Sequence, residues 1–104
     1  ADLATWRPDP PPDGILLRHV LEHVPAWRDV LDAAAAAARR RLAVVLFTPF
    51  AETTRRLAQG WQVDWSFRRA DLTARLAGMD VREEHTDTPA QYGAGEHIFY
   101  AERR

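Results

Sequence analysis

The chain has 104 residues, the length of one domain. Arginine supplies all 14 basic residues against 15 Asp plus Glu, a formal charge of −1, which excludes the uncompensated basic surface that strong nucleic-acid binding needs. Without Cys there is no disulfide framework, without Lys there is no catalysis by a lysine amine, and no apolar run nears the ~20 residues that cross a bilayer.

The elements follow in chain order. Residues 1–14 are turn-rich, because Pro8, Pro10, Pro11 and Pro12 lack donors and restrict their predecessors. Ile15, Leu16, Leu17 and Val20 then form a short apolar run, which predicts a strand buried on both faces. Pro25 suits the first turn of a helix, and Trp27, Val30, Leu31 and Ala34 follow at helical spacing. The alanine block 33–38 favours helix. Asp29 and Asp32 early, with Arg39, Arg40 and Arg41 late, complement the helix dipole, so a helix is predicted over 25–41. The run LAVVLF at 42–47 predicts a central strand, stopped by Thr48-Pro49. Strand, helix and strand make a βαβ unit with parallel strands.

Residues 51–59 read as a short helix stopped by Gly60. Trp61, Val63, Trp65 and Phe67 alternate with polar residues, as in a strand or a loop whose rings pin it over a pocket. Ser66 is the expected N-cap of a helix through Leu72 and Leu76, ended by Gly78. Residues 79–85 predict a strand with Val81 inward, and residues 97–102 predict a last strand. The loop between them carries no helix, so these two strands are expected to be antiparallel neighbours.

The order, together with the segment DGILLRHVLEHVP at 13–25, resembles the C-terminal half of a class I S-adenosylmethionine-dependent methyltransferase. In that family a strand with an Asp-led apolar run passes through an "LEHV" turn into a helix. A second strand then leads into a proline-containing turn, matched here by residues 42–49. The domain closes with a helix, a "G-(F/M)-x-V" strand and an antiparallel last strand, matched by residues 71–78, Met79-Asp80-Val81 and residues 97–102. The resemblance covers nearly the whole chain and implies an α/β fold. That fold is a partial Rossmann-like sheet holding strands four to seven of seven, flanked by helices. The family's Gly-rich cofactor loop is absent, since Gly93-Ala94-Gly95 lies in a late loop with no helix after it. Residues 1–104 would thus be one part of a single domain, a piece of a longer protein, as the opening at Ala1 without Met also suggests.

Ligands in open α/β sheets bind at the carboxyl ends of the strands, and this places the candidate residues. By resemblance, Asp2 holds the cofactor's adenine amino group, and Arg18 and His19 face its sulfonium. His19 is the candidate general base, an imidazole able to accept a proton near neutrality. Trp61 and Trp65, with Phe67, lie where the family places a substrate-side insertion, although ordinary core filling explains them too. Arg55, Arg56, Arg68 and Arg69 suit either an anionic acceptor or solvated helix faces. His19, Glu22 and His23 form HxxEH, a spacing that brings two imidazoles and a carboxylate to one face and suits Zn²⁺ better than Mg²⁺. Relatives use this turn structurally, so no metal is expected. His97 starts the last strand at the same sheet edge and would approach His19 and His23.

The expectation is a methyltransferase segment using S-adenosylmethionine and an unidentified small-molecule or macromolecular acceptor, inactive alone and cytoplasmic. It would lean on its missing N-terminal half or on a homodimer partner, because a bared sheet edge invites pairing. Two alternatives stand beside it. One is a non-catalytic interaction module, or degenerate subunit, completing a partner's cleft. The other is a small metal-binding protein built on His19, Glu22 and His23.

Overall fold

The structure is a computed structural model that describes residues 3–59, 62–87 and 95–104. Strand β1 (Gly14–Arg18) lies parallel to β2 (Arg41–Leu46), with Leu16 opposite Ala43 and Arg18 opposite Val45. Helix α1 (Trp27–Ala37) makes the crossover between them, so the βαβ unit forms as expected. The last strand, β6 (Glu96–Arg103), inserts antiparallel against β2, and β5 (Met79–Thr86) pairs antiparallel with β6 on its far side. The sheet order is β1-β2-β6-β5.

The core forms where α1 lies on one face of this sheet. Trp27, Val30, Leu31, Ala34 and Ala38 recur at three- to four-residue spacing and meet Leu42, Val44, Leu46, Phe99 and Ala101. Ala33, Ala34, Ala37 and Ala38 are all buried, and their small side chains let the helix sit close to the strands.

The helix is shorter than predicted, because Ala38 is already extended at φ −69 and ψ 117. The amide of Arg39 donates to the Pro12 carbonyl, and those of Arg40 and Arg41 donate to the Asp13 carbonyl. The three arginines therefore belong to the turn into β2. A distant cation does their expected work: the guanidinium of Arg103 donates to the carbonyls of Ala35 and Ala38 at the helix end.

Three other expectations need correction. Residues 51–59 hold no helix; Arg55–Gln59 is strand β3, paired antiparallel with β4 (Gln62–Ser66) in a separate two-stranded sheet. The alternating aromatic strand templates its neighbour, overriding local helix propensity. Ser66 caps no helix, because it is buried at the end of β4 and its hydroxyl donates to the Pro49 carbonyl. Helix α2 (Arg69–Thr73) instead begins beside Thr54, whose hydroxyl accepts the Arg68 amide at 2.9 Å and donates to Asp71 at 2.5 Å. A 3-10 turn at Ala74–Leu76 extends it, and Gly78 ends it at φ 87. Finally, Val81 is 39% exposed at the sheet edge while Met79 fills the core in its place.

Strand β1 is not buried on both faces either. Leu16 is 61% exposed on the side away from α1, where a groove of about 640 Å³ runs past Leu16, Ala43, Tyr100 and Arg82. The apolar run, its length and its flanking turns predict two covered faces, whereas among the described residues only the face toward α1 is covered. Among the described residues no helix is long and apolar enough to cross a membrane.

Candidate functional site

The carboxyl ends of β1 and β2 meet at one rim. His19 directly follows β1, and its amide donates to the Val45 carbonyl at 3.0 Å. Its φ of 54 lies in the left-handed region, which a non-glycine residue rarely enters. Such a conformation costs on the order of 1–3 kcal/mol and persists only where the surroundings enforce it. A 3-10 turn at Leu21–His23 follows, burying Leu21 and Glu22 completely. Glu22 Oε2 accepts the amide of Phe47, the residue just after β2, at 2.8 Å. This carboxylate thus ties the ends of the two parallel strands together.

Phe47 separates two histidines. Its ring centroid is 5.0 Å from His19, edge-on, and 5.5 Å from His23, tilted. Each imidazole has its own acid. His19 Nε2 lies 2.5 Å from Oε2 of Glu96, the buried first residue of β6. His23 Nδ1 lies 2.9 Å from Oδ1 of Asp64, which is fully buried on β4. The β3–β4 hairpin is fastened to the same rim, since the Trp65 indole donates to the Val24 carbonyl at 3.0 Å and the Thr48 hydroxyl donates to the Trp65 carbonyl at 2.8 Å.

Of the residues the sequence points to, His19 stands at the rim with a third of its side chain exposed. Arg18 ends β1 beside it, exposed. Trp65 is half-buried and held by its indole, with the Arg56 guanidinium 5.0 Å over its ring. Asp2 and Trp61 lie outside the described residues. His19, Glu22 and His23 do not close on one point: each takes a different partner, and among the described residues no three such side chains could hold an ion. Arg68 and Arg69 reach the carboxylates of Asp71 and Glu83 at 3.5 and 3.0 Å, as solvated faces do.

His97 does not approach His19. It packs on Phe50 and His85 with centroids at 4.3 and 4.6 Å, and burial, with His85 beside it, lowers its pKa. The preceding residue, Glu96, makes the contact instead. Neighbouring residues on a strand point to opposite faces, so an error of one position exchanges the whole set. Sequence reasoning also missed Asp64. Its alternation with Trp65 puts it in the polar phase of the strand, yet it is fully buried beside the turn that carries His23.

The Glu22 carboxyl has a raised pKa because burial disfavours its charge, and its second oxygen has no hydrogen-bond partner. A folded-state pKa above the unfolded value contributes stability that is complete below the unfolded pKa, near 4.5, and is lost as pH rises through the folded one. Glu22→Gln keeps an acceptor for the Phe47 amide and removes the titration. Melting temperatures of the two proteins should converge in acid, and the variant should gain on the wild type as pH rises toward neutrality. A gap that stays constant with pH contradicts this account.

No protein-family model and no curated protein matches the chain. Several solved structures do. A Burkholderia thailandensis 1,6-didemethyltoxoflavin-N1-methyltransferase, with 1,6-didemethyltoxoflavin and S-adenosylhomocysteine bound, has a TM-score of 0.73 at 19% identity, over 99% of this chain and 48% of its own. Magnesium protoporphyrin IX methyltransferase from Synechocystis PCC 6803, with S-adenosylmethionine bound, has a TM-score of 0.68 at 22% identity, over 100% of this chain and 44% of its own. The N-terminal domain of EvdMO1 with S-adenosylhomocysteine has a TM-score of 0.66 at 20% identity, over 100% and 52%. The chain spans about half the length of the structures it matches, and all of it falls within the shared fold.

Proposed function

We propose that this chain, which has the fold of half an S-adenosylmethionine-dependent methyltransferase domain, supplies the acceptor-side rim of such an enzyme, with His19 as its base. The observation that carries this reading is His19 itself. A βαβ unit of the matched fold delivers a part-exposed imidazole, in a strained backbone conformation, to the carboxyl ends of two parallel strands. That is where open α/β sheets take their ligands.

S-adenosylmethionine supplies an electrophilic methyl group on a sulfonium. The residues present suit such a cation, since the rings of His19 and Phe47 line the rim and the Glu96 carboxylate stands behind them. By the family resemblance, Arg18 and Asp2 would contribute to cofactor binding and Trp61 and Trp65 to the acceptor side. Residues 1–104 then form one part of a single domain. The open groove and the uncovered edge of β1 would be closed by the glycine-rich half, on the same polypeptide, on a separate chain, or by a second copy.

Calorimetry with S-adenosylhomocysteine tests this. The chain alone should show no tight binding, and the complete protein containing it should bind. Sub-micromolar affinity in a monomer of this chain alone would overturn the half-site reading. No binding by the complete protein would overturn the methyltransferase reading altogether.

A further inference from the structure

We infer that Glu96 is a positioning residue that fixes the tautomer of His19, placing the hydrogen on Nε2 and leaving Nδ1 as the atom that accepts a proton. An ionised carboxylate only accepts hydrogen bonds, so the 2.5 Å contact puts the hydrogen on Nε2. The arrangement is held from three sides. The His19 backbone is fixed at φ 54 by its amide's bond to Val45. The Phe47 ring stands edge-on to the imidazole. Gly95, at φ 72, turns the chain into β6 so tightly that a Cβ there would lie 2.2 Å from the Thr86 carbonyl oxygen. Only glycine allows this turn, and the turn aims Glu96 at His19. The contact lies between residues 77 positions apart in the chain, so no local helix or hairpin geometry creates it as a by-product.

The consequence for chemistry rests on the methyltransferase reading. A base of defined tautomer is useful to an acceptor whose nucleophilic oxygen or nitrogen carries a hydrogen. Nδ1 takes that proton, and the acceptor's lone pair forms the new bond to the methyl carbon. The carbon–sulfur bond breaks with its electrons left on sulfur, giving a neutral thioether, and the imidazolium afterwards releases its proton to solvent. The acceptor class is therefore a hydroxyl or N–H compound.

Two measurements test the inference separately from the reading beneath it. Nitrogen-15 spectra of the imidazole-labelled chain, recorded where the rings are neutral and assigned with His19→Asn, should show His19 protonated at Nε2. Glu96→Gln should yield a mixture of tautomers. In the complete protein, Glu96→Gln should lower kcat roughly 10²-fold with the KM for S-adenosylmethionine unchanged, and Glu96→Asp should recover much of the loss. An Nδ1–H tautomer in the wild type overturns the inference, whether or not Glu96→Gln folds. A loss confined to KM also overturns it. Nε2–H together with no cofactor binding by the complete protein would leave the role of Glu96 intact and sink the methyltransferase reading.

Discussion

Trp27→Ala should lower the unfolding free energy of the chain by about 3–5 kcal/mol, the range for truncating a buried large aromatic residue. Trp27 is completely buried at the start of α1. Its ring meets Phe67 in a T-shaped contact at 4.9 Å, and the Arg28 guanidinium covers it at 4.5 Å. Domains of this size are stable by only about 5–15 kcal/mol, so the loss removes a large share of the total. The cavity would open beneath the turn that carries His23 and beside the segment following β4, loosening the His23–Asp64 contact as well. Trp27→Phe supplies the control. It keeps a ring against Phe67 and removes an indole N–H that has no partner in the core, so its cost should stay below about 1.5 kcal/mol. Denaturant midpoints with unchanged m-values would measure both. Equal losses for the two variants would contradict the assignment of the stabilisation to a ring packed against Phe67.

The elements legible in the sequence are those whose burial is set by one dominant partner. β1, α1 and β2 combine apolar runs with helical spacing and form the expected parallel crossover, with α1 ending early and one face of β1 left open. β6 pairs antiparallel with β5, as expected for these two neighbours in sequence, and it also inserts against β2. Reading failed where a second partner decides. The stretch 55–59 has no strand signal of its own and becomes one because β4 pairs with it. Asp64 and Ser66 occupy the polar phase of an alternating strand, yet the rim and Pro49 cover them. At the site, the HVLEH stretch coincides with the turn after β1, and His19 directly follows that strand. Its acid is not legible because the sequence predicts the last strand from His97, one residue after its start at Glu96. Leu16 illustrates the opposite case. Its place in the apolar run predicts burial, whereas the side chain is largely exposed.

His19→Asn in the complete protein should reduce methyl transfer by roughly 10²–10⁴-fold, the usual contribution of a positioned general base, while leaving cofactor affinity within a few-fold. Asparagine is the informative replacement because the position is left-handed. Among non-glycine residues Asn enters that region readily, so the variant removes the imidazole without adding the strain that Ala or Val would bring. Its amide ends near the place of Nδ1 and does not reach Glu96, whose contact is with Nε2, so the variant also leaves that buried carboxylate without its imidazole partner. The melting temperature should therefore fall, and the rate is compared at a temperature where both proteins are folded, so that its loss reports the missing proton acceptor. His23→Asn removes the neighbouring imidazole, whose acid belongs to the β3–β4 hairpin, and should affect stability more than rate. If the two substitutions reduce kcat equally, His19 has no special place in the reaction, and both histidines serve only to fasten the rim.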